Sequence, residues 1–343
     1  MIIDGIKIGK GSRKTWNLIA AETAAGKIGI PVTAINGIEN GPTLAILAGC
    51  HPCELVGIMA SINLSRALDP KHLAGSVIIV HLQNVMGFQF KTSYISPLDG
   101  VNMGRAYPSF NGSGIEGVDR GKEATHKAKS PTYQVADKLF NEVAHRADYL
   151  VDLHGGELNE WLIPNIEIFT IGKSSIDSKT RALAKAFGFD IVWEVPQGSI
   201  PEMPNYPQSG SLVYESVRMG IPAALCECGR EGKIEEEYVE KTYQGLINVM
   251  TSLRMLQGTK VQVEPQVLVG GHVLFAKRGG LFVTKSKAGD KVLKNQILGH
   301  IIDLTGEVIE TFSSPSDGII LNMITLGIAN PGDMLYVIAN LTK

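Results

Sequence analysis

The chain has 343 residues, enough for about two domains, and its 44% hydrophobic and 19% charged residues are ordinary for a soluble globular enzyme. A net charge of −2 gives no reason to expect a nucleic-acid or membrane partner, and no apolar run reaches the ~20 residues that a bilayer span needs. Four cysteines are too few for a disulfide framework, and the first residues lack the apolar region of a signal peptide, so we expect a cytoplasmic protein.

The first 258 residues alternate between strand and helix patterns, which predicts an α/β sheet covered by helices on both faces. Residues 1–40 predict short strands and turns. The apolar run TLAILAG (43–49) predicts a buried strand, and a helix is expected from Cys53 to about Leu68. Residues 100–130 are polar and Gly-rich and predict a long loop. Further strands are predicted at 76–84, 148–154, 166–172 and 222–229, and further helices at 131–147, 178–188, 210–220 and 234–258.

The composition changes after Gly258, and residues 262–343 predict a small all-β domain. It contains two loosely similar segments, GLFVTKSKAGD and GIILNMITLGIANPGD. These segments and the stretch SSPSDGII resemble the barrel-sandwich fold of biotinyl and lipoyl carrier domains. A carrier needs a lysine on a hairpin, and no lysine occurs between Lys294 and Lys343. The resemblance therefore concerns the fold alone, and we divide the chain into domains at 1–258 and 262–343.

The motif LAGCHPCELVG (47–57) places His51 and Glu54 three residues apart, where a buried strand meets a helix. Ligands of open α/β sheets collect at the carboxyl ends of strands. Imidazole and carboxylate groups are both good zinc ligands, so the pair predicts part of a metal site.

A third ligand is needed, and His154 stands at the end of the predicted strand DYLVDLH with two glycines after it. Asp152 is placed to orient a ligating histidine from behind. Three protein ligands leave one position open, which is the pattern of catalytic zinc. We therefore predict one Zn²⁺ per chain on His51, Glu54 and His154.

The cysteines offer an alternative, a structural four-thiolate zinc site made by the CxxC and CxC pairs of the chain. The spacing of about 170 residues between the two pairs is unusual for such a site. Each pair also ends a buried strand, where free cysteine serves as a small apolar filler. The four residues are Cys50, Cys53, Cys226 and Cys228.

Two further residues are candidates for chemistry. Glu227 ends the predicted strand PAALCE and is expected at the same sheet edge, where a carboxylate can accept a proton from water and return it to a leaving amine. Arg105, in SPLDGVNMGRAYP (96–108), offers a planar fork suited to a substrate carboxylate.

With GCHPCELVG, SPLDGVNMGRAYP, VDLHGG and CECG in this order, the chain resembles the succinylglutamate desuccinylase/aspartoacylase family of the zinc carboxypeptidase superfamily. The resemblance spans roughly residues 40–230. It implies a mixed-sheet α/β/α domain followed by a β domain, zinc on the three ligands above, and Glu227 as general base and acid. It also implies hydrolysis of the amide bond of a small-molecule N-acyl amino acid.

The chain departs from the family at the substrate-binding residues. Members commonly have an Asn-Arg pair where this chain has Gly104 and Arg105, so Arg105 with Asn102 is expected to bind the substrate. Members also often carry an arginine that polarises the scissile carbonyl at the position of Ser93, and Lys91 is close enough to replace it.

Three interpretations compete with the deacylase: a metallocarboxypeptidase that prefers peptides, an inactive member that binds a ligand, and the structural thiolate protein. The sequence is compatible with a homo-oligomer and does not specify the acyl group or the amino acid.

Overall fold

The computed structural model describes residues 1–108, 130–206, 210–259 and 263–341. Most of the predicted loop at 100–130 therefore lies outside the described residues. None of the helices in the described ranges combines the length and the apolar character that a membrane crossing requires.

Twenty strands form the sheets of the described chain. They are β1 (Ile2–Ile3), β2 (Ile6–Lys7), β3 (Ser12–Thr23), β4 (Gly26–Asn36), β5 (Glu39–Ala48), β6 (Ala74–Val80), β7 (Tyr149–His154), β8 (Glu160–Leu162), β9 (Asn165–Thr170), β10 (Ile191–Pro196), β11 (Ala223–Glu227), β12 (Gln266–Val269), β13 (Gly271–Phe275), β14 (Gly280–Thr284), β15 (Lys291–Val292), β16 (Ile297–Ile302), β17 (Val308–Ser313), β18 (Gly318–Ile324), β19 (Ile328–Ala329) and β20 (Met334–Asn340).

Six α-helices and three short 3₁₀ helices join these strands. They are α1 (Leu55–Ala67), α2 (Val85–Phe90), α3 (Pro131–Glu142), α4 (Ser174–Ala186), α5 (Leu212–Arg218) and α6 (Glu236–Ser252), with 3₁₀ turns at Pro70–His72, Met103–Arg105 and Ala144–Arg146.

The main sheet has nine strands in the order β12-β10-β9-β11-β7-β5-β6-β4-β3. Strands β6, β5, β7 and β11 run parallel, so their carboxyl ends meet at one edge. Strand β9 runs antiparallel to β11, which brings the beginning of β9 to that same edge. The sheet is therefore mixed, as the resemblance implied.

Helices cover both faces of this sheet, because successive residues of the central strands are buried on opposite sides. In β5, Ala45 and Leu47 pack in the core with α3 and α5, whereas Leu44 and Ile46 pack in the core with α1, α4 and α6. This confirms the prediction from TLAILAG that the strand is buried on both faces.

The prediction of short strands over residues 1–40 is wrong for most of that segment. Strands β3 and β4 have 12 and 11 residues and form a long antiparallel hairpin. The exposed side of β3 carries polar side chains such as Arg13 and Thr15, which weaken the apolar pattern that marks a strand.

The C-terminal residues form two antiparallel sheets, in the orders β13-β20-β18-β15 and β17-β16-β14-β19. Side chains of both sheets share one core, which includes Phe282, Phe312 and Tyr336. Two strands cross between the parts of the chain: β12 pairs with β10 in the main sheet, and β8 pairs with β18. Strand β8 follows β7 closely in the chain, so its pairing with β18 attaches the C-terminal sheets next to the carboxyl edge of the main sheet.

Candidate metal centre and adjoining cavity

His51 and Glu54 lie in the turn that joins β5 to α1. Gly49 allows the chain to leave the strand with a φ of +68°, and the Glu54 amide donates to the His51 carbonyl at 3.2 Å. This turn places His51 Nδ1 2.8 Å from Glu54 Oε1.

His154, the last residue of β7, completes the group. Its Nδ1 lies 3.0 Å from Glu54 Oε2, and the two imidazole rings are 4.9 Å apart and nearly perpendicular. One ligand atom from each residue lies within 4.8 Å of the others. The structure therefore brings the three predicted ligands together in an arrangement that could hold a metal ion.

The buried carboxylate of Glu54 fits the role of a metal ligand. Glu54 is only 4% exposed, yet its Oε2 makes no hydrogen bond among the described residues despite its proximity to His154 Nδ1. A buried carboxylate oxygen without a partner is costly. A metal ion held by the three side chains would give that oxygen a partner, and imidazole and carboxylate groups suit zinc.

The Glu54 carboxylate and the two imidazoles each favour the charged form of the other. Burial alone would raise the pKa of Glu54, but His154 and His51 lower it to about 2. Burial would likewise lower the pKa of His154, but the carboxylates of Glu54 and Asp152 raise it well above its usual value. Glu54 is therefore held as the carboxylate, the form that binds a metal.

Asp152 lies next to the His154 ring on the side away from Glu54. Its Oδ2 lies 3.1 Å from His154 Nε2, and its Oδ1 accepts from Gln83 Nε2 at 2.9 Å. Tyr107 in turn donates its hydroxyl to Gln83 Oε1. Because Asp152 accepts at Nε2, the neutral imidazole of His154 has its lone pair on Nδ1, which faces Glu54.

Glu227 ends β11 at the same edge and is paired in register with His154 of β7 and Asn165 of β9. Its Oε2 is buried and has no hydrogen-bond partner within the described ranges. Burial raises the pKa of Glu227 well above its usual range, which His154 only partly offsets. A carboxyl group with a raised pKa holds a proton more readily, which suits a general acid and base.

The predicted substrate residues occupy different places. Asn102 Oδ1 lies 3.3 Å from His51 Nε2 and also accepts from the Gly104 amide at 2.8 Å. Arg105 is exposed and lines the cavity described below. Lys91 is exposed at the end of α2 and does not line that cavity.

The two positions that depart from the family have local explanations. A Cβ at Gly104 would lie 3.1 Å from His51 Nε2, so any side chain there would press on the imidazole. Ser93 donates its hydroxyl to Glu157 Oε2 at 2.6 Å, and Glu157 Oε1 lies 3.4 Å from His51 Nδ1. A carboxylate thus lies beside Ser93, next to the metal cluster.

The cluster opens into a cavity of about 240 Å³. Residues of the C-terminal sheets, Val273, Leu321, Asn322, Met334 and Val337, form part of its wall. The C-terminal sheets therefore shape the space beside the metal centre, and its size suits a small molecule.

Sequence reasoning missed the acidic residues of this cavity. Glu157 and Glu160 follow His154 in the chain, and Glu167 lies on β9. Glu167 accepts a hydrogen bond from the Tyr206 hydroxyl at 2.7 Å. Glu167 lies within the apolar run IEIFTIG (166–172), which predicts only a buried strand. The alternation of residues along the strand does not show which of its faces borders a cavity. The strand order is needed to see that four glutamates lie near His154: Glu157, Glu160, Glu167 and Glu227.

The four cysteines do not form a metal site in the structure. All are free and buried. Cys50 packs in one core of the main sheet, whereas Cys226 and Cys228 pack in the core on the opposite face. Over the described residues, the group of histidine, cysteine and acidic side chains close enough to hold an ion is His51, Glu54 and His154.

Comparison with known proteins places this site in context. The sequence model of the succinylglutamate desuccinylase/aspartoacylase catalytic domain matches residues 40–253. A curated N-alpha-acetyl-L-2,4-diaminobutyric acid deacetylase from Halomonas elongata is 24% identical over 331 residues, which cover 94% of this chain and 89% of the relative.

Two solved structures share the fold over nearly the whole chain. The product-bound ectoine utilization protein EutE from Ruegeria pomeroyi is 22% identical with a TM-score of 0.82, covering 98% of this chain and 97% of that one. A succinylglutamate desuccinylase/aspartoacylase from Rhodobacter sphaeroides is 22% identical with a TM-score of 0.82, covering 99% of each chain.

Proposed function

Because the chain belongs to the succinylglutamate desuccinylase/aspartoacylase family, we propose that it is a zinc-dependent hydrolase that cleaves the amide bond of an N-acyl amino acid. The observation that carries the proposal is the convergence of His51, Glu54 and His154 beside a cavity that Glu227 also lines. The products are a free amino acid and a short carboxylic acid.

His51, Glu54 and His154 would hold the metal through two Nδ1 atoms and the Glu54 carboxylate. A zinc ion there supplies Lewis-acid polarisation of the acyl carbonyl and makes water more acidic. Asp152 keeps the His154 proton on Nε2, so that Nδ1 stays available.

Glu227 acts as the general base and then as the general acid. Its free carboxylate oxygen accepts the proton of the attacking water as the new C–O bond forms. It then gives the proton to the leaving amine as the C–N bond breaks. Its partly buried position and raised pKa support both steps.

Arg105 binds the carboxylate of the amino acid through its guanidinium fork, so the amide is oriented before attack. Asn102 supports this end of the site, because its Oδ1 fixes the Gly104 amide next to Arg105 and approaches His51 Nε2. The deacetylase from Halomonas elongata supports the choice of an N-acyl amino acid as the substrate class.

The direct test is a hydrolysis assay with the chain stripped of metal by a chelator and then reloaded with zinc. N-acetyl and N-succinyl amino acids are compared with dipeptides of the same residues. We expect amine release from the N-acyl amino acids only after reloading. Preferential cleavage of dipeptides would indicate a metallocarboxypeptidase instead. Metal binding with no hydrolysis over the whole panel would reject the proposal in favour of an inactive ligand-binding member.

A further inference from the structure

Asn165 is a buried residue of the cavity wall that has no part in the mechanism above. It is the first residue of β9, is only 3% exposed and lines the cavity. Its Nδ2 donates to the Ile163 carbonyl at 2.9 Å. Because a carbonyl oxygen can only accept, this contact fixes the orientation of the side-chain amide. The other amide atom, Oδ1, is buried and has no hydrogen-bond partner among the described residues.

The turn that carries Asn165 is held by the C-terminal sheets. The Ile163 amide donates to the Leu321 carbonyl of β18 at 3.0 Å, while the Ile163 carbonyl accepts from Asn165. The acceptor atom of Asn165 is therefore fixed before a ligand enters. A buried acceptor without a partner is costly, so a ligand that brings a donor to Oδ1 gains free energy.

The main sheet places Asn165 directly beside Glu227. In the strand register, Glu227 of β11 is opposite Asn165 of β9 on one side and His154 of β7 on the other. Residues paired in this way project from the same face of the sheet, and neighbouring strands are about 4.8 Å apart. The three side chains thus form a row with Glu227 in the middle.

An N-acyl amino acid has one donor that every member of the class carries. Its acyl oxygen and its α-carboxylate only accept, and its acyl group and side chain vary, whereas the amide N–H is always present. A secondary amide is planar and trans, so its C=O and N–H bonds point in opposite directions. With the carbonyl oxygen toward His154, the N–H therefore points past Glu227 toward Asn165.

We propose that Asn165 is a catalytic residue whose Oδ1 accepts the N–H of the scissile amide. The inference rests on the proposed deacylase function. After the oxygen of water has added to the acyl carbon, the C–N bond breaks as the nitrogen takes the proton that Glu227 received from the water. The nitrogen lone pair must face Glu227 at that moment, and an N–H held by Asn165 keeps it there. The amine leaves with its original proton and the proton from Glu227.

The test replaces the N–H of the substrate by an oxygen atom. Each N-acyl amino acid that the zinc-loaded chain hydrolyses is paired with the O-acyl hydroxy acid of the same shape; for alanine these are N-acetylalanine and 2-acetoxypropanoate. Asn165→Ala should lower kcat/KM for the amide by about 10- to 100-fold, the cost of a lost hydrogen-bond partner, and that for the ester by no more than a few-fold. A merely structural role would lower both equally.

Asn322→Ala is the matched control. Asn322 lines the same cavity, and its buried Oδ1 also lacks a partner in the part of the chain that the structure describes, but it is opposite Leu162 rather than Glu227. We expect this variant to change the amide and ester rates by the same factor. Asn165→Leu, a side chain of similar length without an acceptor, is the second variant if Asn165→Ala does not fold by circular dichroism. The zinc content of each variant is measured alongside.

An equal loss for amide and ester in the Asn165 variant, or no loss for either, would overturn the inference and leave the deacylase intact. An amide-specific loss of the same size in Asn322→Ala would also overturn it, because the effect would then not depend on the place beside Glu227. No hydrolysis of any substrate pair by the wild type would reject the proposed function and the inference with it.

Discussion

Replacing Asp152 by asparagine tests how this chain prepares His154 as a ligand. The aspartate is 3% exposed and accepts from Gln83 Nε2 at 2.9 Å and from His154 Nε2 at 3.1 Å. In Asp152→Asn the amide oxygen stays opposite the Gln83 donor, so an N–H group faces His154. The histidine then carries its proton on Nδ1, the atom that should bind the metal.

The expected loss of zinc affinity is 10- to 100-fold, the usual effect of removing such a partner, which corresponds to about 1.4–2.7 kcal/mol. Zinc affinity is measured by competition with a chromophoric chelator at constant pH. The control is Asp148→Asn, whose carboxylate accepts from the Thr43 amide at 2.8 Å at the opposite end of β7. An unchanged zinc affinity in Asp152→Asn would refute the reasoning, provided that the control also binds as the wild type does.

Three further predictions concern the cluster and its alternatives. Glu227→Gln should lower kcat by about 10²- to 10⁴-fold while zinc content stays constant, with the exposed Glu237→Gln as control; full activity would exclude Glu227 as the general base. Gly104→Ala should weaken zinc binding, because the added Cβ would lie 3.1 Å from His51 Nε2, and titration with the chelator measures the change. Cys226→Ser should keep its zinc, as measured by elemental analysis, since Cys226 is core filler in the structure; loss of the metal would revive the thiolate site.

The convergence of His51, Glu54 and His154 could be predicted from the sequence, because these residues follow strands that the sequence marks strongly. The apolar runs before His51 and His154 identify two buried parallel strands, and the carboxyl ends of such strands meet at one edge. His51 and Glu54 are three residues apart, so their proximity follows from the sequence alone.

The polar lining of the cavity could not be predicted in the same way. It depends on β9 running antiparallel to β11, which places Asn165 at the beginning of its strand beside Glu227 at the end of another. It also depends on β8 pairing with β18, across about 160 residues of sequence. Neither pairing leaves a local pattern, because each joins segments that lie far apart in the sequence.

The long N-terminal hairpin was missed for a related reason. Strands β3 and β4 lie at the end of the main sheet, and the exposed side of β3 carries polar residues that break the apolar run. For Lys91 the sequence suggested a site residue that the structure places elsewhere. Lys91 is close to Ser93 in sequence, yet its side chain is exposed and does not line the cavity.

The most direct test of the account is the zinc content of the purified chain after reconstitution and gel filtration. One zinc ion per chain is expected for the wild type, with little in His51→Ala and His154→Ala that fold normally by circular dichroism. A wild-type chain that retains no zinc, or variants that retain as much as the wild type, would contradict the central claim that two imidazoles and one carboxylate form a catalytic metal site.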